Sequence, residues 1–409
     1  MKMLRKALLV AGASLLLASA AEAGTVRVTI AEYSKGTGPY FDAAAKAFEA
    51  ANPGTKIQIE VVPWDNLQQK LTTDIAAGAN ADLSIIGTRW LLDYVSQGVV
   101  APLDSYVTPD FKARFIQTFL TPSIMNGHVY GLPIAASARA MYYNKDVFKK
   151  AGYDSAPGTW ADFKNAAEKI KATGGGVFPF GLQGKEIETD VYFYYAMWSY
   201  GGEIVKDGKS GIDSQAAIDA AKLYKSFIDG GLTEPGVTSY NREDVQNLFK
   251  QGKVATVITA PFLSGQIKKE APNLNYAVAP IPAGPTGDQG TYGVTDSIVL
   301  FANSKVKDEA WKFLDFLFTT DERTKFDKVE GFLPVNVEEA KNPIFADDRD
   351  LKVFASLLPK ARFAPVIPGW EDIAQTTTNA LQKIYLGQGQ IEPTLKEAAT
   401  KINETLSKK

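Results

Sequence analysis

The stretch ADLSIIG, residues 81–87, decides the fold that this sequence predicts. It is short and nearly continuous in apolar side chains, which is typical of a strand buried on both faces of a parallel sheet. Two strand-and-helix pairs precede it. Residues 26–30 alternate apolar and polar side chains, residues 39–52 have helical spacing, and the pattern repeats over 57–76. This order of elements predicts a doubly wound α/β lobe.

The carboxyl ends of these three strands are the first place to look for a ligand site, because ligands bind there in open α/β sheets. Each end carries polar and aromatic side chains: YSK at 33–35, PWD at 63–65 and TRW at 88–90. The tryptophans at two of the ends have an alternative role, which is simply to pack at the start of the following helix.

The middle of the chain is rich in helical patterns. Residues 159–172 and 215–231 each place apolar side chains on one helical face. Strand patterns are found at VATVIT, 254–259, and at SIVLFAN, 297–303, with the Pro- and Gly-rich segment 276–287 between them. We therefore expect the chain to leave the first lobe, build a second one and return.

The composition is that of a soluble globular protein, with 45% hydrophobic and 22% charged residues. The length of 409 residues suits two or three domains of about 150 residues each. The formal net charge is −2, and charges of both signs are mixed along the chain. This distribution lacks the basic field of a nucleic-acid-binding protein, so we expect no nucleic-acid partner.

Residues 1–23 have the pattern of a secretory signal sequence. Lys2, Arg5 and Lys6 precede an apolar run at 7–20, and small residues at 21–23 mark a cleavage site. No later segment approaches the roughly 18 consecutive apolar residues of a membrane helix. The chain contains no cysteine, so we expect neither disulfides nor a lipid anchor, and we predict a free protein in the periplasm.

The scarcity of histidine and the lack of cysteine argue against several kinds of catalytic and metal site. The chain has one histidine, His128, and no cysteine, which argues against a zinc site and rules out a cysteine nucleophile. The setting of His128, NGHVYG, is typical of a tight turn before a strand. The glycines at 172–178 match neither a phosphate loop nor a dinucleotide fingerprint. We expect no cofactor and no metal.

The segment VYFYYAMWSYGG, residues 191–202, holds six aromatic side chains within nine positions. Successive residues of a helix turn by about 100°, so these rings cannot all face one ligand. Most of them are expected to form the core of the second lobe. Asp190 and Tyr194 are the candidates for contact with a ligand, and Trp198 is a weaker third.

Nine motifs spread from residue 48 to residue 336 resemble, in order, the extracellular solute-binding proteins of ABC importers, in particular the carbohydrate-binding group that includes maltose-binding protein. They are FEAANPGTKIQIE, LTTDIAAGANADLSIIG, SQGVVAPLD, GHVYGLPIAASARAMYYNKDVFKKAG, TWADFKNAAEKI, YGGEIV, FKQGKVATVITAPF, KDEAWKFLDFLFT and GFLPVN. The resemblance implies a two-lobed α/β fold of type II with a hinge. Its lobes are predicted at 24–136 with 284–333, and at 137–283 with 334–409. YGLPIAAS, APIPAGPTG and FLPVN would be the crossings between them.

The same resemblance implies a function without covalent chemistry. The protein would capture a sugar or related polyhydroxylated solute, close on it and deliver it to the transmembrane subunits of an ABC permease, acting as a monomer. The residues implied to bind the ligand are Tyr33, Ser34, Thr88, Arg89, Trp90, Ser137, Asp190, Tyr194, Phe262, Gly293, Asp296, Arg362 and Trp370.

This sequence departs from maltose-binding protein at three of these positions. Arg89 and Ser137 stand where that protein has acidic residues, which favours a different ligand, smaller or anionic. Phe262, in TAPF, replaces a tryptophan of the family and can still stack on a ligand.

Three alternatives stay open. An exported carbohydrate-active enzyme would use two carboxylates about 5–10 Å apart, and a chain with 46 acidic residues offers such pairs. A binder of a non-sugar anionic solute would keep the same fold. Tyr142 and Tyr143 resemble the paired tyrosines of iron-binding relatives, but YYNKD is typical of a strand entering the second lobe. Arg139 is expected to form an interlobe salt bridge rather than a ligand contact.

Overall fold

The structure is a computed structural model that describes residues 24–186 and 188–407. The predicted signal sequence, 1–23, lies outside the described residues. Strands and helices alternate in the predicted order through the first three strands of the chain, and three short helices and three further strands follow. They are β1 (Gly24–Glu32), α1 (Thr37–Ala51), β2 (Thr55–Pro63), α2 (Trp64–Ala76), β3 (Leu83–Gly87), α3 (Leu91–Ser96), α4 (Pro109–Ala113), α5 (Gln117–Leu120), β4 (Ile124–Met125), β5 (His128–Val129) and β6 (Leu132–Ser137).

The middle of the chain is mostly helical, as its patterns predict. Its elements are β7 (Ala140–Asn144), α6 (Lys145–Lys150), α7 (Trp160–Ala172), α8 (Thr189–Ser199), β8 (Val205–Lys206), β9 (Lys209–Ser210), α9 (Gln215–Asp229), α10 (Arg242–Lys250), β10 (Thr256–Thr259), α11 (Phe262–Glu270) and β11 (Tyr276–Ala279).

The last part adds one strand to the sheet of the first lobe, forms a small sheet from two others, and ends in two long helices. Its elements are β12 (Thr291–Tyr292), β13 (Val294–Leu300), α12 (Lys307–Leu317), α13 (Thr320–Glu330), α14 (Val337–Ala340), α15 (Pro343–Ala346), α16 (Arg349–Leu357), β14 (Ala361–Arg362), α17 (Trp370–Tyr385) and α18 (Ile391–Ser407). Single turns of 3-10 helix lie at Thr88–Trp90, Thr121–Ser123, Val237–Ser239 and Leu358–Lys360.

The first lobe is built on a five-stranded sheet in the order β2-β1-β3-β13-β6. β2 and β3 run parallel to β1, whereas β13 runs antiparallel between β3 and β6. Every residue of β3 is buried, as its continuous apolar pattern predicts. Phe41 of α1 and Leu67 of α2 are fully buried against this sheet. The carboxyl ends of β1, β2 and β3 therefore point to one edge, where a ligand site is expected.

The second lobe is built on the antiparallel sheet β10-β7-β11 and a layer of helices. Tyr142 and Tyr143 lie in β7, and both are buried, so they belong to this lobe's sheet and core. α7 begins after the N-cap Thr159, whose side chain accepts a hydrogen bond from the backbone N–H of Asp162.

The aromatic helix α8 is buried along its entire length. The hydroxyl of Tyr224 in α9 donates to the backbone oxygen of Tyr192 at 2.6 Å, and the ring of Tyr194 lies 6.3 Å from that of Trp370 in α17. A helix apolar on all sides needs neighbours all round, and α9 and α17 supply them. Most rings of residues 192–200 are therefore core, as expected.

The segments that cross between the lobes lie side by side. Only Ala138 and Arg139 separate β6 in the first sheet from β7 in the second. The backbone N–H of Arg139 donates to Thr291 Oγ1 at 2.8 Å, and that hydroxyl donates to the backbone oxygen of Arg139 at 2.7 Å. The N–H of Leu333 donates to the oxygen of Ala136 at 2.9 Å. Adjacent crossings are the arrangement that a hinge requires. The residue ranges given above for the lobes stay a prediction.

Candidate functional site

A cavity of about 100 Å³ lies between the two lobes, next to the carboxyl ends of β2 and β3. Both lobes and the crossings contribute side chains to it. The lining includes Trp64, Thr88, Arg89, Trp90, Glu188, Val191, Gly293, Asp296, Phe363 and Glu371. Five of the residues implied by the resemblance are thus brought together in one place: Thr88, Arg89, Trp90, Gly293 and Asp296.

Trp64 and Trp90 form an aromatic wall in the lining of the cavity, and Tyr33 continues their stack. Trp64 stacks on Trp90 with ring centroids 5.3 Å apart and on Tyr33 at 6.0 Å. Gly87 makes this stacking possible, since a Cβ at that position would lie 3.1 Å from the Trp90 ring. These rings offer an apolar surface. Their residues follow the ends of the three parallel strands β1, β2 and β3.

Asp296 is the carboxylate next to the aromatic wall. Its Oδ2 accepts a hydrogen bond from the hydroxyl of Tyr33 at 2.8 Å, which ties the first residue after β1 to β13. Burial raises the pKa of Asp296 to about 7, although the Tyr33 hydrogen bond opposes the shift. Asp296 forms no salt bridge within residues 24–186 and 188–407. It can therefore accept hydrogen bonds from a ligand.

Arg89 and Glu371 form an ion pair between the lobes. Arg89 follows β3 in the first lobe, and Glu371 is the second residue of α17 in the second lobe. Arg89 Nε donates to Glu371 Oε1, and Nη2 donates to Oε2 at 2.9 Å. Burial alone would lower the pKa of Arg89, but Glu371 raises it above its ordinary value. The guanidinium thus faces a protein carboxylate with two parallel hydrogen bonds, a strong and directional arrangement.

Glu188 holds the other two arginines of the cleft. It stands just before α8 with φ of 87°, a left-handed conformation that is uncommon for a residue with a side chain. Its carboxylate accepts from Arg242 Nη1 at 3.1 Å and lies 3.6 Å from Arg139 Nη2. Arg139 also donates to Ser137 Oγ at 2.8 Å. Ser137 therefore supports an arginine, and Arg139 forms a salt bridge with Glu188. That this bridge joins the two lobes stays a prediction.

Asp190, Tyr194 and Trp370 lie beneath the cavity rather than on its surface. Asp190 and Tyr194 are fully buried, and Trp370 is 1% exposed. The Tyr194 hydroxyl donates to Thr377 Oγ1 at 3.4 Å. The structure places these three residues in the interior of the second lobe, behind Glu188 and Glu371. A role of theirs in contact with a ligand stays a prediction.

Ser34, Phe262 and Arg362 lie away from the cavity. Ser34 Oγ accepts from the backbone N–H of Gly36 at 2.9 Å in the turn that leads into α1. The ring of Phe262 packs 5.4 Å from the guanidinium carbon of Arg242. Arg362 donates to Asp288 at 2.6 Å and lines a second, more open cavity of about 830 Å³.

Glu188, Phe363 and Glu371 are among the lining residues that were not candidates. Trp64, for which the sequence left open a place in the site or packing at a helix start, lines the cavity. Each lies one or two positions from a candidate, since Glu371 follows Trp370, Phe363 follows Arg362 and Glu188 precedes Asp190. Gly293 shows why Phe363 belongs here, because a Cβ at Gly293 would lie 2.5 Å from the Phe363 ring. At these three places the candidate residue lies in the correct segment of the chain, but a side chain one or two positions away lines the cavity instead.

The buried carboxyl of Asp190 leads to a prediction on stability. Burial raises the pKa of Asp190 to about 7, although Arg89 opposes the shift, and its Oδ2 has no hydrogen-bond partner among residues 24–186 and 188–407. The unfolded chain releases this proton near pH 4. Between pH 4 and pH 7 the folded state therefore holds a proton that the unfolded state has lost, so the free energy of unfolding falls as the pH rises.

We expect Asp190→Asn to increase the free energy of unfolding at pH 8 by on the order of 2 kcal/mol, and to have a smaller effect at pH 5. Urea unfolding at the two pH values measures both effects. Asp347→Asn, at a side chain that is 78% exposed, serves as the control. An equal effect of Asp190→Asn at pH 5 and pH 8 would contradict the raised pKa.

The described residues contain no group of three or more His, Cys, Asp or Glu side chains placed to hold a metal ion. His128 begins β5 after a turn with positive φ at Asn126 and Gly127, and its side chain is 57% exposed. Within the same described ranges, no helix is long and apolar enough to cross a membrane.

Comparison with known proteins agrees with this geometry. A Brucella abortus protein described only as a binding protein is 66% identical over 405 residues, which cover 98% of each chain. The maltotriose-binding protein of Pyrococcus abyssi is 26% identical over 338 residues, covering 80% of this chain and 70% of its own.

A Thermotoga lettingae ABC transporter solute-binding protein, solved with α-D-tagatose, superposes with a TM-score of 0.86 at 24% identity. The superposition covers 94% of this chain and all of that one. This likeness confirms the predicted α/β, two-lobed, maltose-binding-protein-like fold. The model of the family described as bacterial extracellular solute-binding protein matches residues 31–324, and the chain therefore belongs to that family.

Proposed function

We propose that this protein is the substrate-binding component of an ABC importer that captures a sugar or a related polyhydroxylated solute. The observation that carries the proposal is the interlobe cavity, which is lined both by the rings of Trp64 and Trp90 and by the carboxylates of Glu188 and Asp296. Sugars present apolar C–H faces and hydroxyl edges. Aromatic rings suit the faces, and carboxylates and guanidinium groups suit the edges.

The relatives support this class of ligand. The Pyrococcus protein is named for maltotriose, the Thermotoga protein was solved with tagatose, and a Streptococcus pneumoniae relative is named as a maltooligosaccharide-transporter lipoprotein. These ligands differ in size. They support a polyhydroxylated solute without selecting one.

Closure of the two lobes would supply the mechanism. Trp64 and Arg89 belong to the first lobe, while Glu188 and Glu371 belong to the second, so a ligand in the cavity contacts both. Such a ligand binds the closed state better than the open one and shifts the population toward it. The closed form is then what the permease receives. We propose binding and release without chemical conversion, since the chain would act as a carrier.

We propose that the chain works in the periplasm as a monomer, exported by residues 1–23. The absence of cysteine from the sequence supports a protein without a thioether-linked lipid. The Streptococcus relative is a lipoprotein, so this arrangement differs within the family.

A thermal-shift screen of residues 24–409 tests the proposal. The panel holds neutral mono- and disaccharides, polyols and sugar acids. A solute at about 100 times its Kd stabilises the fold by about 2.7 kcal/mol, which raises the melting temperature by several degrees. We expect a hit that is recovered chemically unchanged. A hit that is converted on incubation would favour the enzyme, and a panel without any hit would contradict the proposed solute class.

A further inference from the structure

The arginines of the cleft all have carboxylate partners within the described residues. Arg139 and Arg242 share Glu188, and Arg89 is paired with Glu371. Arg362, outside the cavity, is paired with Asp288 at 2.6 Å. An anionic solute in the cleft would therefore meet guanidinium groups whose charge a protein carboxylate already balances.

The pair between Arg89 and Glu371 is the one that an anion in the cavity would meet, because both side chains line the cavity. Two parallel hydrogen bonds occupy the flat edge of the Arg89 guanidinium. This edge is also where a carboxylate, sulfate or phosphate binds an arginine. The two side chains are only 16% and 19% exposed, so water screens the pair weakly.

Two further carboxyl groups, Asp296 in the cavity lining and Asp190 beneath it, also disfavour an anionic solute. Asp190 and Asp296 have no salt-bridge partner in the part of the chain that the structure describes. Asp190 Oδ2 lacks any hydrogen-bond partner there as well. Position 89 is an arginine where maltose-binding protein has an acidic residue. In this structure α17 supplies a carboxylate beside it, that of Glu371.

We propose that Glu371 is a specificity-determining residue: by occupying the guanidinium of Arg89, it keeps anionic solutes out of the cleft and reserves it for uncharged ones. This inference rests on the proposed function for the uncharged class of ligand. Its exclusion of anions is a property of the ion pair, so it can be tested with a probe that is not a sugar.

The test is Glu371→Gln, which keeps the shape of the side chain and removes its charge. Sulfate is titrated into the wild-type chain and the variant, with chloride at equal ionic strength as the reference, and thermal stability is recorded. We expect the variant to bind sulfate at least tenfold more tightly than the wild type. D-glucuronate compared with D-glucose repeats the test with matched sugars.

Two further variants separate this effect from a loss of folding or a general gain of positive charge. Asp315→Asn frees Arg114, which pairs with Asp315 at 2.9 Å on the surface of the first lobe, and should gain no sulfate binding. Glu371→Asp, with a shorter carboxylate, should gain less than Glu371→Gln. It also provides a folded substitute if Glu371→Gln does not fold.

The outcomes are distinct. Sulfate or glucuronate bound equally well by the wild type and Glu371→Gln would overturn the role of Glu371. A Glu371→Gln variant that gains affinity for neither sulfate nor glucuronate would overturn it as well. If sulfate behaves as expected while no neutral sugar binds the wild type, Glu371 keeps its role and the proposed function fails.

Discussion

Trp370→Ala is expected to lower the free energy of unfolding by about 3–5 kcal/mol, the usual cost of removing a buried tryptophan. Trp370 opens α17 and is 1% exposed, and its ring packs against Tyr194 of α8. Alanine would leave a cavity where α8 and α17 meet. Urea unfolding, followed by circular dichroism, measures the loss.

Trp370→Phe is the matched variant, because it keeps an aromatic ring in the same space and should lose much less. The affinity of folded Trp370→Phe for the screened solute should stay close to that of the wild type. A large loss of affinity with little loss of stability would mean that Trp370 contacts the ligand, as the family resemblance implies.

Trp64→Ala is expected to weaken solute binding about 100-fold, equivalent to about 2.7 kcal/mol. Trp64 is only partly buried, and it stands in the cavity between Tyr33 and Trp90. Large aromatic side chains at the centre of a binding site carry effects of this size when truncated. Isothermal titration with the solute found in the screen gives the ratio of the two Kd values.

Trp311→Ala is the control for Trp64. Trp311 lies in α12, where its ring stacks on Tyr106 at 5.1 Å, and it is not among the residues that line the cavity. This substitution removes the same number of atoms from the first lobe and should leave Kd unchanged. Equal losses of affinity in the two variants would show that the effect comes from a weakened lobe.

Most of the fold can be predicted from the sequence because its patterns are local. The apolar stretch at 81–87 becomes β3, which is buried at each of its residues. Thr159 caps α7, and the chain leaves the first sheet after β6 and returns to it at β13. Each of these features depends on residues that are close in the sequence or on a periodicity within one element.

The site is harder to predict, because its contacts join distant residues. Arg89 and Glu371 are 282 positions apart, and no local pattern pairs them. A second reason is helical phase. Adjacent residues of a helix point about 100° apart, so Trp370 enters the core while Glu371 enters the cavity. The family motif identifies the turn of the helix, but the structure is needed to tell which side chain faces the ligand.

The most direct test of the account is a crystal structure of residues 24–409 with the solute found in the screen. The account predicts the solute between the lobes, with one face on Trp64 and Trp90 and its hydroxyls hydrogen-bonded to Glu188 or Asp296, while Arg89 and Glu371 remain paired. A solute bound instead in the more open cavity beside Trp198 and Arg362, or on one lobe alone, would contradict the proposed site.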